Sequence, residues 1–167
     1  MCQDCACMVK LYWISEINSR QAIMARPRGA DWLETEIKSL RSQSVDVVVS
    51  LLTDDEVEEL ELREEAQQCA THGIEYVRFP IEDRSVPSDL ADFNVLLKEL
   101  DMRLAEKKAI AIHCRMGIGR SSLVAACLLR QTGLTTARSF ELIEASRGCA
   151  VPDTQAQFDW VDELRLT

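Results

Sequence analysis

The chemistry of this chain is concentrated in one stretch, His113-Cys114-Arg115-Met116-Gly117-Ile118-Gly119-Arg120-Ser121. Within it a cysteine begins a loop and an arginine closes it, with five residues between them. Glycines let the backbone curl so that successive N–H groups point inward, making a bowl for a tetrahedral dianion. The apolar run Ala109 to Ile112 before it reads as a strand, and the apolar run Ser122 to Leu129 after it reads as a helix. The helix start turns its positive dipole end toward the bowl. Such surroundings favour a thiolate at the base. Arg120 can grip two phosphate oxygens at once. Nucleophile and oxyanion cradle therefore share one loop, and attack on a phosphate monoester would give a cysteinyl-phosphate that water then hydrolyses.

The leaving oxygen also needs a proton, and the stretch contains no carboxyl group. Pro80-Ile81-Glu82-Asp83-Arg84-Ser85-Val86-Pro87 follows a short strand predicted over Glu75 to Phe79. In a parallel sheet that strand ends at the same edge as the Cys114 loop, where ligands bind. A carboxyl group of this stretch, Asp83 or its local rival Glu82, would protonate the leaving oxygen and then take a proton from the attacking water. An aspartate between two prolines also opens turns for structural reasons alone.

Cys-x5-Arg followed by Ser and preceded by His resembles the signature of the cysteine-dependent protein-tyrosine phosphatase superfamily. Cys-x-x-Gly-x-x-Arg-Ser within a short chain is most similar to the dual-specificity phosphatases, with the kinase-associated phosphatase type nearest. The resemblance implies Cys114 as nucleophile and Arg120 with the loop residues Arg115, Met116, Gly117, Ile118 and Gly119 around the phosphate. It also implies Asp83 as acid and Ser121 as hydrogen-bond donor to the cysteine when it leaves. His113 would orient the loop through a hydrogen bond, and Arg84 would contact the loop or substrate. The segment from Arg147 to Phe158 resembles the family's third loop. There Asp153 stands where tyrosine-specific members carry a glutamine, and Gln157 matches a later one. Either would position the hydrolytic water, although Thr154-x-x-Gln157 is also a capping box.

The remaining residues must build a frame for these groups. Val9 to Ile14 suits a first strand and Gln21 to Ala25 a second, with Ser15 to Arg20 turning between them. Trp32, Leu33, Ile37 and Leu40 predict a helix from about Ala30 to Arg41. Val45 to Leu52 is almost wholly apolar, as in a strand buried on both faces of a parallel sheet. Thr53-Asp54-Asp55-Glu56 is a capping-box pattern, and the helix it starts continues to His72, with a possible break, until Gly73 stops it. Leu90, Phe93, Leu96, Leu97, Leu100 and Leu104 form one stripe of a helix over Ser88 to Lys107. The helix after Arg120 is apolar nearly all round and should be the central buried one. Thr135 to Ser146 and Thr154 to Leu164 read as closing helices. Alternating strands and helices imply an α/β fold: a central, mostly parallel sheet of four or five strands flanked by helices, as in dual-specificity phosphatases.

At 167 residues the chain reads as a single phosphatase domain, with residues 1–7 a flexible start. A composition 47% hydrophobic and 28% charged is that of an ordinary globular protein. Met1 to Met8 lacks the basic and apolar regions of a signal peptide, and no apolar run reaches membrane-spanning length, so the expected location is the cytoplasm. A net charge of −9 argues against nucleic-acid and anionic-membrane partners. Seven cysteines in a reducing compartment stay thiols; Cys2, Cys5 and Cys7 have no second Cys/His cluster at zinc spacing. Cys69, Cys127 and Cys149 suit small core or near-surface positions. No metal and no cofactor is expected. The expected partner is a phosphorylated protein or peptide. A phosphoinositide or RNA 5′-phosphate hydrolase, a rhodanese-like sulfur transferase and a catalytically idle phospho-binding module are the alternatives. Arg26 and Arg28 either rim the site or are ordinary loop charges.

Overall fold

The computed structural model describes residues 8–15 and 20–166. Cys2, Cys5, Cys7, the expected flexible start and most of the turn between the first two strands lie outside the described residues. Among those described, five strands form one sheet: β1 (Tyr12–Trp13), β2 (Gln21–Ala25), β3 (Val47–Ser50), β4 (Glu75–Arg78) and β5 (Ile110–Cys114). Their spatial order is β1-β2-β5-β3-β4. β2, β5, β3 and β4 run parallel, and β1 pairs antiparallel on the outer edge of β2. The helices are α1 (Leu33–Ser42), α2 (Asp54–Glu59), α3 (Glu65–Thr71), α4 (Leu90–Ala105), α5 (Arg120–Gln131), α6 (Thr136–Arg147) and α7 (Gln155–Glu163).

Valines and isoleucines fill the inner strands because both sheet faces are covered. Ile23, Val47, Val49, Ile110 and Ile112 pack under α4, α5, α6 and α7; Met24, Val48 and Ala111 pack under α1 and α3. α5 is buried from Arg120 through Leu129, as its uniform apolarity predicts. The order places β5 in the centre, flanked by β2 and β3. The segments leaving β2, β3 and β4 therefore reach the sheet edge around the loop that leaves β5.

One expectation changes and another is made specific. The strand predicted over Val9 to Ile14 keeps ladder pairing only at Tyr12 and Trp13. The break allowed for in the helix from Thr53 toward His72 divides it into α2 and α3, with Glu61 in a left-handed conformation (φ 56°). The cause is tertiary: Glu61 gives its carbonyl to the Ala30 N–H, and the Leu60 carbonyl packs where a side chain on Gly29 would sit. A continuous helix would have kept both carbonyls for itself.

Candidate active site

Cys114 ends β5 and Arg120 begins α5, so the loop between them spans one strand end and one helix start. Gly117 sits at φ 67°, and a side chain there would lie 2.5 Å from the backbone of Met24 in β2. Only glycine satisfies both constraints. Gly119 is pressed against Asp153 and Gln157, where an added carbon would come within 2.8 Å. These contacts hold the loop in shape before any ligand arrives. A Gly117→Ala change should cost about 2 to 4 kcal/mol, combining strain with a backbone clash, and is checked by urea unfolding.

A cavity of about 70 Å³ is lined by Asp83, Arg84, Cys114, Met116, Ile118, Gly119, Arg120 and Asp153. The predicted nucleophile, arginine and acid thus meet in one place. Cys114 is buried, with its Sγ 3.4 Å from Ser121 Oγ. Asp83 is drawn onto Arg120, which donates from Nη2 at 3.1 Å. Arg84 reaches across the opening to Asp153 at 3.5 Å. Ile81 anchors this acid loop by its burial and by its N–H to the Leu51 carbonyl at 3.0 Å.

Glu56 is the functional residue that sequence reasoning passed over. Its carboxylate receives Arg120 Nη1 at 2.7 Å and Nη2 at 2.9 Å, while the Ile81 carbonyl receives Nη1 at 2.9 Å. Glu56 also closes the capping box of α2 with Thr53. Burial pushes its carboxyl up, but Arg120 and the Thr53 N–H outweigh burial and hold it below the usual range. Burial pulls the Arg120 guanidinium down, yet the carboxylates and Cys114 around it raise it above its ordinary value. The arginine is a fixed, permanently charged clamp.

Other predicted residues fall elsewhere. The His113 ring makes its hydrogen bond away from the loop. Its Nε2 lies 2.7 Å from Glu65 Oε1, with both side chains fully buried, and so ties β5 to α3. The Arg115 guanidinium pairs with Glu59 at 2.6 Å and lies 3.7 Å from Glu56, on the far side of the carboxylate that holds Arg120. Gln157 is committed at both ends of its amide. Its oxygen caps the Thr154 N–H at 3.1 Å and its Nε2 donates to the Ser85 carbonyl at 3.0 Å, so it braces the acid loop. Arg28 is held by Glu36 at 2.7 Å and stacks on Trp32. Cys69 and Cys127 are buried, and burial pushes both thiols up to about 12, which keeps them protonated and unreactive.

The family described as "Tc-R-P: Polymorphic toxin system, DSP-PTPase phosphatase" matches residues 22–134, well over half of the chain. The chain belongs to the DSP-PTPase phosphatase family. It is 35% identical over 101 residues to cyclin-dependent kinase inhibitor 3 of Homo sapiens, covering 59% of this chain and 46% of that protein. The chain spans about half the length of the curated relatives it matches. Among solved structures it resembles kinase associated phosphatase carrying a serine at the catalytic-site cysteine, with TM-score 0.82, 22% identity and 93% of each chain covered. It also resembles Tk-PTP in its active form, with TM-score 0.73, 27% identity and coverage of 92% and 96%. The α/β fold of dual-specificity phosphatases is therefore this chain's fold.

Proposed function

We propose that this chain is a single-domain protein phosphatase of dual specificity, hydrolysing phosphotyrosine and phosphoserine or phosphothreonine through a cysteinyl-phosphate. The observation that carries the proposal is the convergence of Cys114, Arg120 and Asp83 on one cavity of about 70 Å³. That volume is on the order of a few water molecules, room for a phosphoryl group but not for a ring above it. A site of this volume receives the phosphoryl group rather than the side chain that carries it, which supports reading both classes of phosphoresidue.

The steps follow from the donors available. Glu56 takes one hydrogen from each terminal nitrogen of Arg120, and Asp83 takes the other from Nη2. The Nε–H has no acceptor among the described residues, so the Nε and Nη2 edge is the fork left for phosphate oxygens. An entering phosphoryl group displaces Asp83 from that fork, toward the leaving oxygen. Cys114 attacks phosphorus, the ester oxygen leaves with the proton of Asp83, and inward loop amides with Arg120 stabilise the charge. Water, oriented by Asp153 at the mouth, then attacks phosphorus and gives its proton to Asp83. Ser121 donates a hydrogen bond to the departing Cys114 sulfur.

An Asp83→Asn variant should lower kcat on phosphopeptides by about 100-fold and flatten the alkaline limb of the pH–rate profile. An unchanged profile would move the acid role to Glu82. The function itself is tested by paired phosphotyrosine and phosphothreonine peptides with a phosphoinositide panel beside them. Turnover confined to the lipids would overturn it. No helix of the described residues is long and apolar enough to cross a membrane; with the charge of −9, that supports our placing the enzyme in the cytoplasm without a nucleic-acid partner.

A further inference from the structure

The side chain of Asp83 does little to fix its own position. Its carboxyl is 60% exposed, and its ion pair among the described residues is with Arg120 Nη2, the donor that an entering phosphoryl group takes. From then on the backbone on either side decides where the acid stands. Ahead of it the chain is anchored at Ile81, which is buried and gives its N–H to the Leu51 carbonyl. Behind it the chain turns at Arg84 (φ 58°), and the Ser85 N–H returns to the Glu82 carbonyl at 3.0 Å. That turn is local, so it holds its own shape but not its orientation toward Cys114.

Orientation comes from the segment that starts α7, to which both residues after Asp83 are tied. Arg84 reaches Asp153 at 3.5 Å, and the Ser85 carbonyl accepts from Gln157 Nε2 at 3.0 Å. The two ties differ in strength. The Arg84 pair is exposed at the mouth, where such pairs contribute little. Gln157 is fully buried. Its Oε1 accepts the Thr154 N–H at 3.1 Å while its Nε2 meets a carbonyl, so the two ends of the amide are not interchangeable. The same amide lies against Gly119, where an added carbon would stand 3.0 Å from Oε1 and 3.1 Å from Nε2. One buried amide therefore touches three loops: the Cys114 loop at Gly119, the acid loop at Ser85 and its own loop at Thr154. The walls of the Cys114 cavity are made by other residues, with Gln157 behind them.

We infer that Gln157 is a positioning residue for the general acid. Its hold on Ser85 fixes where the Asp83 carboxyl stands over the leaving oxygen, a role that rests on the phosphatase reading above. Gln157 then serves the first chemical step and not the water attack of the second. A buried donor suits this task, because releasing the Ser85 carbonyl would leave an amide hydrogen unpaired away from water. Misplacing a reacting group by about 1 Å costs a factor on the order of 100 in rate. The loss falls where the proton is needed. The anion of an acidic phenol departs unaided, whereas that of a weakly acidic phenol departs only with the proton of Asp83.

The test uses the full chain and reads kcat/KM, which covers the steps through departure of the leaving group and excludes hydrolysis of the cysteinyl-phosphate. Gln157→Glu keeps an oxygen for the Thr154 N–H and removes the donor to Ser85. It should lower kcat/KM by less than about threefold on para-nitrophenyl phosphate and by about 30-fold on phenyl phosphate. In an Asp83→Asn background the same substitution should cost nothing further on either ester, since the proton it positions is gone. Gln157→Met, similar in volume and uncharged, is read in the same way, with urea unfolding to establish that each variant is folded. A loss equal on the two esters, or one that adds in full to that of Asp83→Asn, overturns the inference. A fall in kcat with kcat/KM intact also overturns it and returns Gln157 to the water step. If the unmodified protein hydrolyses neither ester, the phosphatase reading falls and the inference falls with it.

Discussion

Replacing Cys114 with serine should reduce hydrolysis of an aryl phosphate by at least about ten-thousandfold while the protein still binds phosphate or vanadate. The serine hydroxyl keeps the size of the group but is not ionised at neutral pH, so the covalent step loses its nucleophile. Arg120, its Glu56 clamp and the loop amides are untouched, so the oxyanion cradle persists. Single-turnover assays and phosphate titration monitored by tryptophan fluorescence read the two properties separately. Retained turnover would remove the cysteine mechanism, and joint loss of turnover and binding would place Cys114 in the architecture of the loop.

The second large effect belongs to Glu56. Glu56→Gln should lower kcat by roughly 10- to 100-fold and destabilise the fold by about 3 kcal/mol, because a buried guanidinium loses its counter-charge. Glutamine closes a capping box as well as glutamate does, so α2 keeps its cap and the loss reports the arginine clamp. The pH dependence gives a further check. The folded-state carboxyl of Glu56 lies below its ordinary value, so its stabilisation is present above the ordinary glutamate range, about 4.3, and disappears as pH falls through the depressed folded value. The stability gap between the native protein and Glu56→Gln, measured by urea unfolding, should be wide at about pH 7 and narrow at about pH 3. A gap equal at both would mean that the ion pair contributes nothing.

Glu56 also marks the limit of what could be read in advance. Its position after Thr53-Asp54-Asp55 already accounted for it as a helix cap, and its second partner lies 64 residues along the chain. Nothing local distinguishes a capping glutamate from one that also holds an arginine. Gln157 shows the opposite case. Its capping pattern with Thr154 was legible as such, and the structure adds only that the free end of its amide holds the acid loop. A break between α2 and α3 was allowed for, but its place was not legible, because Gly29, which displaces the chain at Leu60 and Glu61, comes from another element.

The sequence alone determined the kind of chemistry. Nucleophile, oxyanion cradle and helix start are contiguous from Cys114 to Ser121, and contiguous residues keep their relation in any fold that forms a strand–loop–helix there. It determined the parallel sheet as well, since Val47, Val48 and Val49 or Ile110, Ala111 and Ile112 leave no polar face for water. Tertiary structure decided everything joined across distance: that Asp83 meets Arg120, that Glu56 locks it, and that His113 turns to Glu65. Those relations depend on the order β1-β2-β5-β3-β4, which brings the ends of separate strands to one edge. Hydrophobic periodicity records which face of a strand is buried, but not which strand lies beside it.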